Sequence, residues 1–151
     1  MIVGVISDTH GLLRPEAVER LRGAAHIIHA GDIGRPGILE VLGELAPLSA
    51  IRGNVDTDAW SAHLPETATV DLGSHRLFLV HDRHAVPDGH VPEGVSVVVS
   101  GHSHKPKVET LGGVFYLNPG SAGPRRFRLP VTLAVLDLED RVPRATIVEL
   151  T

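Results

Sequence analysis

Met1-Ile2-Val3-Gly4-Val5-Ile6-Ser7-Asp8-Thr9-His10 opens the chain, and the reading of this stretch decides the fold. Ile2–Ile6 is a short unbroken apolar run, which is what a strand buried on both faces requires. Ser7 to His10 then turn abruptly polar. A strand followed at once by an acid and an imidazole delivers both to the carboxyl edge of a sheet, where open α/β sheets bind their ligands. The pattern then repeats. Pro15 suits the first turn of a helix, and Glu16–Arg22 carries Ala17, Val18 and Leu21 at helical spacing. His26–His29 reads as a second short strand and ends near Gly31-Asp32. Pro36 opens a second helix through Leu45, with Ile38, Leu39, Val41, Leu42 and Leu45 on its inner side. Leu48–Arg52 reads as a third strand and leads into Gly53-Asn54. This β-α-β-α-β rhythm implies a parallel sheet with right-handed crossovers.

Helical spacing fades after Leu45. Thr67–Leu72, Arg76–Val80, Val95–Ser100, Lys107–Leu111, Val114–Leu117, Val131–Leu136 and Arg144–Glu149 read as short strands. Gly73-Ser74 and Gly112-Gly113 read as hairpin turns. The expected class is α/β, with two sheets facing each other and helices outside. With 151 residues and no repeat or long linker, one domain over residues 1–151 is expected. Aromatic residues are only 3% of the chain, so the core must be built from Val, Leu, Ile and Ala.

Composition removes several functions. The formal net charge is −4, so no global basic field favours nucleic acid or an anionic membrane. Without cysteine, disulfides and thiolate metal sites are excluded. The amino terminus has no basic leader, and no apolar run approaches the ~20 residues that span a bilayer. A cytoplasmic protein is expected.

The chemistry concentrates in five segments. Asp8 and His10 follow the first strand, Asp32 the second and Asn54 the third. His81 ends a later strand, and His102 and His104 follow Val95–Ser100. Each candidate falls at a strand end predicted from order alone. Singly these motifs are turn chemistry or core histidines. Jointly and in this order they form a set of oxygen and imidazole ligands sufficient for two divalent metals, with Asp32 as the natural bridge. Two metals about 3.5–4 Å apart hold a hydroxide, orient a phosphate and stabilise a leaving oxygen.

Asp8-Thr9-His10, Gly31-Asp32, Gly53-Asn54, His81 and Gly101-His102-Ser103-His104 resemble the blocks of the calcineurin-like metallophosphoesterases. Asn118-Pro119-Gly120-Ser121 and the short chain resemble, more narrowly, the small prokaryotic phosphodiesterases of the YfcE type. The resemblance implies a four-layer αββα sandwich of two mixed sheets flanked by helices. It implies that Asp8, His10, Asp32 and His104 hold one metal and that Asp32, Asn54, His81 and His102 hold the other. Manganese is the first expectation, with nickel, iron or zinc as alternatives. Asp32, Asn54 and His81 carry the catalytic roles, and homodimers or homotetramers are implied.

Two departures from that family matter. Many members have His directly after the Asn of the third block, where it protonates the leaving group. Here Val55 stands in that place. General-acid help is worth ~10²–10⁴-fold, so its loss narrows the useful substrates to those with good leaving groups. Asp56 then lacks its usual partner and reads as structural. The second departure is His81-Asp82-Arg83-His84, where the family has a glycine after the His. Asp82 reads as a solvated loop residue or a support for an imidazole, and His84 as an exposed residue or a phosphate contact.

His29 is a candidate support for Asp32. His63, His75 and His90 are expected at the surface. Arg125, Arg126 and Arg128 form the only basic cluster. The expected function is hydrolysis of a small soluble phosphodiester by a metal-bridging hydroxide. A phosphomonoesterase or nucleotidase, and a non-catalytic interaction scaffold of the same fold, are the alternatives. Nucleic acid is not an expected partner.

Overall fold

The structure is a computed structural model that describes residues 1–86 and 90–150. Two five-stranded mixed sheets face each other. The first is centred on β1 (Ile2–Ile6), which pairs in parallel with β2 (His26–His29) and antiparallel with β9 (Thr132–Asp137). Beyond β2 lies β3 (Leu48–Ala50), also parallel, and β10 (Arg144–Glu149) closes the other edge against β9. The second sheet comprises β4 (Thr67–Leu72), β5 (His75–Val80), β6 (Val97–Val99), β7 (Lys107–Leu111) and β8 (Val114–Asn118), in the order β4-β5-β6-β8-β7. The hairpins expected at Gly73-Ser74 and Gly112-Gly113 join β4 to β5 and β7 to β8.

Strand alternation assigns each side chain to a layer. Val3 and Val5 of β1 and Ile28 of β2 point between the sheets, where Leu77, Leu79, Val97, Val99, Phe115 and Leu117 meet them. Ile6 and Ile27 point outward onto α1 (Pro15–Leu21) and α2 (Pro36–Leu45), against Ala17, Leu21, Ile38 and Leu42. Both helices carry Pro at their first turn, as expected. Each fully buried Leu or Ile contributes roughly 1.5–3 kcal/mol. Gly4 lets α1 sit flush on β1, because a Cβ there would stand 2.4 Å from Leu21 Cδ2.

The outer face of the second sheet is covered differently. Val98 and Tyr116 lie under Val86, Val91 and Val95, and the only helical turn there among the described residues is the 3₁₀ turn Arg83–Ala85. Pro92 and Gly94 disfavour an α-helix in the segment just before β6. The expected surface position of His75 is corrected. It is 5% exposed, with Nδ1 3.0 Å from Ser96 Oγ and Nε2 2.7 Å from the Asp140 carbonyl. It begins β5 facing inward, and its two partners come from distant segments that alternation alone does not reveal. His63 and His90 are exposed as expected. No described helix is long and apolar enough to cross a membrane.

Candidate metal centre

The parallel strands of both sheets end at one place. Backbone hydrogen bonds continue past the strand ends and lock the loops together. Asp8 N–H donates to Gly31 O at 3.0 Å, His10 N–H to Asp32 O at 2.9 Å, and Gly101 N–H to His81 O at 2.9 Å. Asn118 Nδ2 reaches Gly101 O at 3.0 Å and Ser103 Oγ at 3.1 Å, and Ser121 Oγ reaches Asp8 O at 2.9 Å. The Asn-Pro-Gly-Ser segment therefore braces the loops of both sheets.

Six of the seven predicted residues meet in two groups whose potential ligand atoms lie within 4.8 Å of one another: Asp8, His10 and His104 in one, Asp32, His81 and His102 in the other. The groups adjoin, because Asp32 Oδ2 is 3.6 Å from His10 Nε2 and 3.0 Å from His81 Nε2. Asn54 is exposed and lines a cavity of about 610 Å³ together with His81 and Asp82. A second cavity of about 820 Å³, lined by His102, Arg83, Lys105 and Tyr116 among others, opens beside it.

Each carboxylate has one oxygen held and one left over. Asp8 Oδ2 accepts from Ser7 Oγ at 2.7 Å and from His102 N–H at 3.0 Å. Asp8 Oδ1 is buried with no hydrogen-bond partner, yet His104, His10 and His81 Nε2 stand 3.5, 3.8 and 3.8 Å away. A buried charge without a partner is costly, and a cation between these groups satisfies all of them at once. Asp32 Oδ1 accepts from Val55 N–H at 3.0 Å, leaving Oδ2 toward the histidines. His81 Nδ1 lies 2.7 Å from the Ala30 carbonyl, which fixes a proton there and aims Nε2 inward at the Asp32 carboxylate. Oxygen and neutral imidazole donors of this kind fit divalent transition metals.

Charge states follow. Burial raises the Asp8 carboxyl above its ordinary value. Burial acts the same way on Asp32, but the His81 contact and the Val55 N–H outweigh it and bring it to about 2. Burial, helped by the charge of Arg126, lowers His104 to about 4, so this ring stays neutral and able to ligate.

The backbone carries a feature that the sequence did not reveal. Asp8, His10, Asp32, His102 and His104 all have positive φ, between 45° and 72°. Non-glycine residues held there cost of order 1–3 kcal/mol each and gather at functional sites. Gly101 shows how tight the loops are, because a Cβ on it would stand 2.1 Å from Ser7 Oγ and 2.6 Å from Asp8 Oδ2.

Several supporting residues were legible only in part. Asp56, read as structural, is a hub: its carboxylate accepts from Ile33, Gly34 and Gly53 N–H at 2.9–3.1 Å, tying the loop after β2 to that after β3. His29 is fully buried and bonds Thr9 Oγ1 and Gly31 N–H, so it supports the loop and not the Asp32 carboxylate. Asp82 is half-buried; Oδ1 caps the 3₁₀ turn through His84 N–H, and Oδ2 lies 3.9 Å from His102 Nε2. The His84 side chain is solvent-exposed. Arg125, Arg126 and Arg128 lie exposed on the loop before β9.

Known proteins share the family and the fold. The calcineurin-like phosphoesterase superfamily domain matches residues 1–141. A probable metallophosphoesterase of Methanothermobacter thermautotrophicus is 37% identical over 134 residues, covering 80% of this chain and 77% of that protein. The structure of YfcE, a phosphoesterase from Escherichia coli, is similar over 100% of both chains with a TM-score of 0.73 and 27% identity. Vps29 of Chaetomium thermophilum shares the fold at 19% identity, with a TM-score of 0.77 over 99% of this chain and 96% of that one. The chain belongs to the calcineurin-like phosphoesterase superfamily and is a metal-dependent phosphoester hydrolase.

Proposed function

We propose that this protein is a dinuclear-metal phosphodiesterase acting on a small soluble phosphodiester. The observation that carries the reading is Asp8 Oδ1, buried, unbonded and faced by three imidazole nitrogens. Asp8, His10, Asp32 and His104 would hold one ion, and Asp32, Asn54, His81 and His102 the other, manganese foremost. When bound, such a pair supplies Lewis acidity at the phosphoryl oxygens and a water acidic enough to attack near neutral pH.

The residues do the rest. Asp32 presents Oδ2 to both groups while the Val55 N–H holds its other oxygen still. The Ala30 carbonyl orients His81. Asn54, exposed at the cavity wall, would meet an incoming phosphate. Val55 is 51% exposed at the rim and offers no proton, so the leaving group lacks the donor that many members of the family have at this position.

Bis(4-nitrophenyl) phosphate with added Mn²⁺ tests this. Wild type is expected to turn it over, Asp32→Ala to lose at least about 100-fold, and 4-nitrophenyl phosphate to react more slowly than the diester. Equal rates for wild type and Asp32→Ala would remove the proposal. Faster monoester hydrolysis would instead favour a phosphomonoesterase.

A further inference from the structure

Among the described residues, six other than glycine hold a left-handed backbone. Five are the acids and histidines of the candidate centre, and the sixth is Phe127 at φ 53°. A bulky residue persists in that conformation only where its surroundings impose it, and such positions cluster at functional sites. Packing does not explain Phe127. It is 94% exposed, far beyond Val142, the next most exposed large hydrophobic. Arg125, Arg126 and Arg128 flank it.

The loop that carries it is mounted on the centre. Ala122 N–H donates to Ser7 O at 3.0 Å, and Ser121 Oγ donates to Asp8 O at 2.9 Å. Gly123 lies so close to the first block that a Cβ would stand 2.2 Å from Thr9 O. Arg14 Nε donates to Gly123 O at 3.3 Å, and Leu129 N–H closes the turn on Arg126 O at 3.0 Å. Arg126 is near enough for its charge to act on His104. Residues 124–128 thus form an exposed turn rooted on the first block, close enough for the Arg126 charge to reach His104, with the ring of Phe127 in solvent.

We propose that Phe127 is a stacking platform for an aromatic or heteroaromatic substituent of the phosphodiester substrate, with the adjoining arginines attracting its phosphate. This rests on the phosphodiesterase reading and narrows it to nucleotide-like diesters. Stacking of a base on an aromatic side chain is worth about 1–3 kcal/mol by alanine substitution and tolerates any base. One ring serves one base and not a strand, in keeping with a small substrate.

Two esters with the same leaving group test the idea: the 4-nitrophenyl ester of thymidine 5′-phosphate, and methyl 4-nitrophenyl phosphate. Phe127→Ala is expected to raise KM for the thymidine ester about ten-fold, with kcat unchanged and the methyl ester unaffected. Phe127→Trp is expected to restore KM. Calorimetry on the Mn²⁺-loaded protein supplies a readout without turnover. Thymidine 5′-phosphate should bind wild type more tightly than inorganic phosphate, and Phe127→Ala should abolish the difference.

An equal loss on both esters would overturn the proposal. So would an unchanged KM for the thymidine ester, which would turn the ring toward a protein or membrane partner. If wild type cleaves neither ester, the phosphodiesterase reading fails, and the calorimetric comparison alone decides on Phe127.

Discussion

His29 can hold only one protonation state in this fold. Thr9 Oγ1 gives its proton to the Ile33 carbonyl at 2.8 Å, so toward His29 Nε2, 3.0 Å away, it must accept. Gly31 N–H points at Nδ1 from 3.1 Å, so Nδ1 must be bare. Adding a proton sets N–H against N–H inside the protein, and burial accordingly holds the ring at about 3. The sign follows. Between the ordinary histidine value and about 3, the unfolded chain binds a proton that the folded chain refuses, so stability falls as pH falls. His29 alone contributes a slope approaching about 1.4 kcal/mol per pH unit in that range. Urea titrations of metal-free protein at pH 7 and pH 5 should show the loss, and His29→Gln should make it smaller, leaving the share that His104 contributes in the same sense. Equal stability of wild type at the two pH values would contradict this account.

At the scale of elements, the centre is a set of loops whose ladders outrun their strands. Gly101 is a tight point, since any Cβ there strikes both Ser7 and Asp8. Gly101→Ala should therefore displace Asp8 and lower kcat/KM by about 100-fold, because misplacement by about 1 Å costs that much, with a measurable fall in Tm. Kinetic parity with wild type would show that the loop yields more easily than its packing suggests. The strands were legible because most apolar runs end at a polar residue or a glycine, and the candidate residues because they follow those ends. What stayed hidden depends on contacts between segments far apart in the chain. Asp56 is a hub only because the loops after β2 and β3 meet, and His75 is buried only because Ser96 and Asp140 come to it. The strand reading ran past Ala50 because Arg52 N–H turns away to Pro65 O at 2.9 Å, which no local pattern announces.

For the whole molecule, the two sheets converge their carboxyl ends on a cluster of acids and imidazoles in which the buried Asp8 Oδ1 and His104 Nδ1 have no hydrogen-bond partner. Ligand binding to the native state alone stabilises by about 2.7 kcal/mol at one hundred times Kd. Millimolar Mn²⁺ should therefore raise Tm over the chelated protein by roughly 5–10 °C for a chain of this size, and Asp32→Ala should show little of that shift. A wild-type melting curve indifferent to the metal would count against the ligand assignment. The left-handed backbones add a further consequence. Glycine at Asp8, His10, Asp32, His102 or His104 would relieve conformational strain while erasing a ligand. Backbone strain and ligation therefore meet at the same five positions. A duplicate released from its catalytic duty would be free to relax the backbone at His10, His102 and His104, while Asp8 and Asp32 would stay fixed by the hydrogen bonds they accept.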